Sequence, residues 1–265
     1  MPESLPVFFV PHGGGPCFFM DWDPPETWAN LAQWLRGLGD SIGTAPKGVV
    51  AISGHWEQPD FTVTSGPSPR LIYDHYGFPE HTYKLTYPAP GWPDLSRRIS
   101  ALLREAEIPA MTDAQRGFDH GVFIPFKLIY PNADIPIVQL SLKAGLDPGG
   151  HLAAGRALEP LRREGVLIVG SGMSYHNLQG FFGGAGERAD AFDAWLTDAV
   201  CHPDVETRGA RLRQWARAPA ARQAHPREEH LIPLLVAAGA AGSDIGRLVF
   251  SDRIMGARIS AYRFG

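Results

Sequence analysis

The sequence predicts an α/β fold: a single domain over residues 1–265, with a central, mostly parallel or mixed sheet flanked by helices on both faces. Three observations carry that expectation. Short apolar runs alternate with stretches of helical spacing along the whole chain. Several of those runs end on glycine and histidine rather than on a polar turn. With 265 residues, 44% of them hydrophobic, the chain can bury a substantial core without disulfide staples.

Taken in order, Leu5 to Val10 is a continuous apolar run of the kind that forms a strand buried on both faces. Pro11-His12-Gly13-Gly14-Gly15-Pro16 follows it. Three glycines directly after a histidine place that side chain where the backbone is thin and something approaches closely. Phe18-Phe19-Met20 leads to Pro24-Pro25, the start of a helix on which Trp28, Leu31, Trp34, Leu35 and Leu38 share a face. Gly48 to Ser53 is a second strand, continued by Ser53-Gly54-His55-Trp56-Glu57, so the sequence strand, glycine, histidine recurs. Residues 60–91 are broken by Pro67, Pro69, Pro79, Pro88 and Pro90, with aromatics between them. They read as a long ordered excursion over the mouth of a site.

Leu95 to Ala106 has helical spacing, and Arg116-Gly117-Phe118-Asp119-His120-Gly121 opens an apolar stretch that ends at Tyr130-Pro131. Ile135 to Leu142 reads as a strand, followed by a helix from about His151 to Glu164. Gly165 to Gly170 is the clearest central strand and opens into Ser171-Gly172-Met173-Ser174-Tyr175-His176-Asn177-Leu178. Ala189 to Val200 and Glu206 to Ala216 read as helices, and Glu228-Glu229-His230 begins another, with Leu231, Leu234, Leu235 and Ala238 on one side. Arg247 to Ser251 and Ile254 to Tyr262 close the chain as strands. That closing pair and the proline-broken excursion point to a mixed sheet.

Composition excludes several function classes. A formal charge of -4, with no Lys/Arg-dense stretch that also carries stacking aromatics, argues against nucleic acid as a partner. Arg208, Arg211, Arg213 and Arg217 are the densest basic cluster and read as the solvated face of a helix. Cys17 and Cys201 form neither a disulfide framework nor a zinc ribbon, which fits a reducing compartment. No basic leader precedes the first apolar run, and nowhere do about 18 apolar residues run uninterrupted, so the expectation is a cytoplasmic protein with no membrane segment. No coiled-coil repeat or long exposed apolar stripe sets an oligomeric state.

The chemistry gathers on histidines. His12, His55 and His176 each lie at or just beyond the carboxyl end of a predicted strand, the edge at which open α/β sheets bind ligands. Neutral imidazoles from separate strands can converge on one first-row metal. On this pattern His12 and His55 read as metal ligands. His120, between Asp119 and Gly121, and His230, after two glutamates, are candidates for the same pocket. The ordinary alternatives are a core role for His120 and first-turn, dipole-favoured carboxylates for Glu228 and Glu229. His75, His81, His151, His202 and His225 sit in polar or proline-broken contexts and read as surface or loop residues without a role.

Several motifs in one order go further: PHGGGP, SGHWE, Tyr87-Pro88-Ala89-Pro90-Gly91, GFDHG, the run from Ala133 to Ser141, GSGMSYHNL and EEHLIPLL. Over nearly the whole chain this resembles the aromatic ring-opening dioxygenases of class III extradiol type, nearest the DOPA extradiol dioxygenase branch. The resemblance implies a non-haem Fe(II) enzyme that adds both atoms of O2 to a catechol-type ring beside its hydroxyls, with a small aromatic diol and O2 as its partners. It implies His12, His55 and His230 as ligands, His176 as an acid/base or a fourth ligand, and His120 as an acid set behind them. A facial triad commonly has two histidines and a carboxylate, whereas here His230 stands at the third position with Glu229 beside it. An all-histidine set also suits catalytic Zn(II). Imidazole exchanges protons near neutrality, which fits His176 and His120 for the proton transfers. Phe18, Trp22, Tyr73, Tyr76 and Phe78 are the expected pocket walls. Two alternatives stay open at this point: a zinc hydrolase using the same histidines to activate water, and a Memo-like, non-redox binding protein on the same scaffold.

Overall fold

The computed structural model describes residues 4–265, and the first three positions of the expected domain lie outside the described residues. The strands are β1 (Val7–Pro11), β2 (Gly48–Gln58), β3 (Phe61–Thr64), β4 (Ala110–Asp113), β5 (Ile137–Lys143), β6 (Val166–Gly172), β7 (Gly246–Ile254) and β8 (Ala257–Phe264). They form one eight-stranded sheet in the order β4-β3-β5-β2-β6-β1-β8-β7. The central four, β5-β2-β6-β1, are mutually parallel. β3 lies antiparallel to β5, while β8 lies antiparallel to β1 and β7 to β8. The expected mixed sheet is thus present, and its parallel centre is where the uninterrupted apolar runs fall: every residue of β1 and β6 is buried. The outer strand β7 carries Arg247, Asp252 and Arg253, charges that discourage further edge pairing.

The helices are α1 (Ala29–Ser41), α2 (Pro93–Glu105), α3 (His120–Ile129), α4 (Pro148–Leu158), α5 (Leu178–Gly183), α6 (Gly186–Val200), α7 (Val205–Arg213), α8 (Ala221–Ala224) and α9 (Ile232–Ala240). α2 begins on Pro93, buries Leu95, Ile99, Leu102 and Leu103, and turns its arginines outward. α9 differs, being buried on every side. It lies on the sheet centre and against α4. Helices cover both faces, as β6 itself demonstrates. A side chain at Gly170 or Gly172 would point at the backbone of Pro233 or His230, beside α9, whereas Ser171 donates its hydroxyl to the carbonyl of Gly121 in α3. Successive residues of a strand face opposite ways, so α3 and α9 lie on opposite faces of β6.

Several sequence expectations shift. The excursion over residues 60–91 contains β3, and β4 appears where no strand was expected. Each has only four residues, too few for an alternating pattern to register. The apolar stretch ending at Tyr130 is helix α3, with Pro125 inside it. The helix expected from His151 begins at Pro148, capped by Asp147, whose carboxylate accepts from the Gly150 N–H at 2.6 Å. It continues from Glu159 to Glu164 as a 3-10 segment. The helix expected at Glu228 starts at Ile232, which leaves Glu228, Glu229 and His230 in the preceding turn. Arg208 is not on a solvated face. It is buried and donates to the carbonyls of Asp244 and Gly242 at 2.8 and 2.7 Å. It thus holds the turn that follows α9, while Arg162 donates to the Ala240 and Ala241 carbonyls at 3.3 and 3.0 Å at the end of the helix itself.

Candidate metal centre and active site

Two strands, β1 and β2, bring the first histidines together. His12 follows β1, and its N–H extends the β1–β6 pairing by donating to the Gly172 carbonyl at 3.0 Å. His55 lies within β2, which runs on to Gln58 through an irregularity in its pairing with β5 between Ile52 and Glu57. Such a bulge re-aims side chains at a sheet edge. The Ser53 hydroxyl donates to Asp119 Oδ1 at 2.7 Å, and its oxygen accepts the His55 N–H at 3.1 Å. Asp119 is fully buried and also accepts from Gln139 Nε2 at 2.5 Å and Arg116 at 3.0 Å, so the bulge is held from beneath.

His230 arrives from the opposite face. Its carbonyl accepts the Met173 N–H at 3.0 Å, and that oxygen occupies the space a side chain at Gly172 would need. Glycine is required there for close backbone approach. Gly172→Ala is expected to push the His230 segment away, weakening metal binding by at least ~10-fold and stability by about 1–3 kcal/mol. Metal titration and thermal denaturation of the variant test this, and an unchanged metal affinity would refute the packing argument.

The three imidazoles point their Nε2 atoms at one another: His12 to His55 is 3.2 Å and His230 to His55 is 3.2 Å. Their tautomers follow from the other ring nitrogens. Since the Ser171 hydroxyl donates to the Gly121 carbonyl, Ser171 Oγ must accept from His12 Nδ1–H, 3.1 Å away. His230 Nδ1–H donates to Glu229 Oε1 at 2.9 Å. Both Nε2 atoms are therefore bare lone pairs aimed at the same point. Burial and then the neighbouring imidazoles hold His12 and His230 well below the usual histidine range. Burial and then His120 bring His55 down to about 4, against the opposing pull of Asp119 and Asp74. A neutral His55 has one N–H to offer and can satisfy only one of these lone pairs, whereas a cation between the rings engages all three nitrogens. A separation of 3.2 Å is also what two ring nitrogens take when each lies about 2.1 Å from one shared metal. The donor set thus fits a divalent first-row metal.

Two further histidines are held beside this group. His176 stacks on His230 with ring centroids 3.5 Å apart and sets Nδ1 3.2 Å from Glu229 Oε1. Glu229 is therefore shared by two imidazoles. Burial would raise its carboxyl, but the bond from His176 and the nearby charges bring it below the ordinary glutamate value. The first-turn reading of Glu229 is replaced by this one. His120 Nδ1–H donates to Asp74 Oδ1 at 2.7 Å, and its backbone N–H reaches the same oxygen at 3.0 Å. Burial opposes ionisation of Asp74, yet these bonds and the His120 charge lower it to about 2. The His120 and His55 rings lie 3.9 Å apart. The core-histidine alternative for His120 therefore gives way to a side chain that reaches the site.

All five histidines line one cavity of about 390 Å³. Trp22, Tyr76 and Phe78 wall it as expected. Phe18 and Tyr73 do not. Phe18 packs edge-on against Trp28, and Tyr73 donates its hydroxyl to the Leu85 carbonyl at 2.6 Å. Trp28, Met173, Leu178, Phe181 and Met255 complete the wall, drawn from segments that a local pattern could not assign to the pocket. The glycines after His12 line it too. Gly13 and Gly15 have φ of +84° and +57°, and Phe78 carbons lie 2.8 Å from where a Gly15 Cβ would sit. Of the histidines set aside from sequence, His81 is exposed and His202 half-buried. The other three are buried. His225 donates Nε2–H to the Ser174 carbonyl at 3.0 Å and is pushed down to about 3 by burial. His151 accepts the Lys143 N–H on Nε2 at 3.1 Å. His75 lines the cavity itself, and burial, then His120, lower its pKa.

Buried imidazoles gathered at the carboxyl edge of a mixed α/β sheet, under a cavity with aromatic walls, define a metal-dependent α/β enzyme. Residues 6–265 match the family model described as the catalytic LigB subunit of aromatic ring-opening dioxygenase, and the chain belongs to that family. It is an extradiol ring-cleaving dioxygenase. A protein named 4,5-DOPA dioxygenase extradiol from Beta vulgaris is 39% identical over 242 residues, covering 90% of this chain and 87% of its own. The dioxygenase tasH of Hapsidospora irregularis is 36% identical over 282 residues, covering 98% and 85% respectively. A crystal structure of an uncharacterized protein, JW3007, from Escherichia coli K12 superposes with a TM-score of 0.78 at 28% identity, covering 98% of this chain and 100% of that one. Neither the hydrolase nor the binding-protein alternative is favoured by this membership. No helix among the described residues is long and apolar enough to cross a membrane.

Proposed function

We propose that this enzyme opens a catechol ring that carries its side arm where DOPA does, with O2, using Fe(II) held by His12, His55 and His230. The observation that carries the reading is the convergence of three Nε2 atoms, 3.2 Å apart along each side from His55, at a cavity whose walls are otherwise aromatic or apolar. When bound, Fe(II) would supply the redox connection between a chelated catechol and O2, which Zn(II) on the same donors would not.

The chain's own residues supply the rest. His176 keeps Nδ1 beside the Glu229 carboxylate, which leaves Nε2 as the nitrogen able to take a hydroxyl proton as the diol binds. Its stack on His230 keeps that nitrogen beside the metal-holding group. His120, tied to Asp74 through Nδ1, keeps its other nitrogen to assist as an acid when oxygen is reduced. Trp22, Trp28 and Phe78 present flat apolar surfaces to an aromatic ring and exclude water from it. We place the protein in the cytoplasm, consistent with its two unpaired cysteines.

Anaerobic reconstitution with Fe(II) or Zn(II), followed by oxygen uptake with a panel of catechols that includes DOPA, tests the reading. Oxygen consumption with a yellow ring-opened product, dependent on Fe(II), is the expected result. Tight Zn(II) binding with no uptake on any catechol would overturn it.

A further inference from the structure

His75 is buried at the cavity wall, yet among the described residues neither of its ring nitrogens has a hydrogen-bond partner. Its ring lies against Tyr83 with centroids 5.0 Å apart and edge-on to His120 at 5.8 Å. Packing therefore fixes the ring but leaves its polar atoms unused. Buried polar atoms without partners are uncommon in folded proteins and call for an explanation. A cavity ligand that hydrogen-bonds the ring supplies one.

The rest of the lining narrows what that ligand can be. Among the described residues, no Asp, Glu, Lys or Arg lines the cavity. Nearby charged groups are engaged elsewhere: Asp74 with His120 and His55, Arg227 with Glu57 and Glu229, Arg116 with Asp119, and Lys127 with the Thr86 carbonyl. A carboxylate or ammonium brought between Phe78, Trp22 and Met255 would meet no counter-charge that is not already paired, and an unpaired charge in such surroundings is costly. A neutral imidazole, by contrast, offers one donor and one acceptor, the complement of a hydroxyl or an amide.

We propose that the preferred substrate is a catechol whose ring substituent carries a hydrogen-bonding group but no charge, and that His75 is the residue that binds this group. The inference rests on the ring-opening reading above and deepens it: the substrate shares the ring and the arm position of DOPA, without the charges on that arm. His75 acts here as a specificity residue and takes no part in the ring chemistry.

The test compares arms of similar length. Hydroxytyrosol carries a neutral hydroxyl, dopamine an ammonium and dihydroxyphenylacetate a carboxylate, while DOPA carries both charges. With the Fe(II)-loaded enzyme, kcat/KM for hydroxytyrosol should exceed that for each charged catechol by ~10-fold or more. His75→Phe should lower the ratio of kcat/KM between hydroxytyrosol and 4-methylcatechol about tenfold, through KM rather than kcat, and His75→Asn should restore part of it. Quenching of Trp22 and Trp28 fluorescence in the metal-free protein gives the same ranking as a binding measurement. Charged arms used or bound as well as the neutral one, or a His75→Phe loss equal on both neutral substrates, would overturn the proposal. Absence of oxygen uptake with every catechol overturns the ring-opening reading instead, and the fluorescence ranking still decides the arm preference.

Discussion

His55→Ala is expected to weaken metal binding by at least ~100-fold and to remove ring cleavage with it, and His12→Ala to do nearly the same. His55 is the vertex of the group, since its Nε2 lies 3.2 Å from both His12 and His230. Removing it leaves two donors, His12 and His230, to hold the ion. The fold should survive the change. In the metal-free protein the lone pairs of His12 and His230 both face His55 Nε2, which can donate to only one of them, so deleting His55 removes a poorly satisfied contact while costing the packing of a ring that is only partly buried. The expected signature is therefore a split: metal content falls to background while the melting temperature of the metal-free variant stays within a few degrees of the parent. Metal analysis after dialysis, together with a thermal melt, reads both quantities. Stoichiometric metal retained by either variant would show that the ligand set is wrong.

How much of this was legible in the sequence varies by element. The parallel centre was, because β1 and β6 are buried on both faces and so carry unbroken apolar runs. His12 and His55 were legible for the same reason, since each is attached to such a run and adjoins glycine. The sheet's other edge was not. β3 and β4 are four-residue strands whose pairing partners lie far away in sequence, and nothing local distinguishes them from the loops around them. α3 was hidden by its own burial. An element that is apolar on every side has no 3.6-residue period, and Pro125 within it argues against a helix.

The misread histidines teach a narrower point. His151 and His225 are buried in loops and helix ends whose sequence context is polar, so burial there comes from tertiary packing that no window reveals. His75 is different, because a signal was present. Residues 60–91 were expected to lie over the mouth of the site, and Asp74 and His75, in the middle of that excursion, are polar side chains set among aromatics. Both do face the site: Asp74 holds His120, and His75 lines the cavity. A segment expected to cover a pocket should have its polar residues counted as pocket candidates, whatever prolines surround them. Arg208 shows the converse, since a cluster of arginines on a helix looked solvated until the carbonyls of the turn after α9 claimed one of them.

His176→Phe carries the second large effect, a fall in kcat of about 10²–10⁴ with metal content retained. Phenylalanine preserves the face that stacks on His230 at 3.5 Å and removes both ring nitrogens. Loss of the Nδ1 contact with Glu229 does not release His230, because His230 donates to the same Glu229 oxygen from its own Nδ1 at 2.9 Å. The third donor therefore keeps its tautomer and its aim. What disappears is the nitrogen able to take a proton as the diol enters, so the deficit belongs in kcat rather than in KM. Glu229→Gln separates the two duties of this carboxylate. It removes the charge shared by both imidazoles, so it should weaken metal binding by ~10–100-fold as well as slow turnover. A His176→Phe variant that turns over normally would leave His176 with only the stacking role. One that loses its metal would instead assign His176 to the ligand set beside His12, His55 and His230.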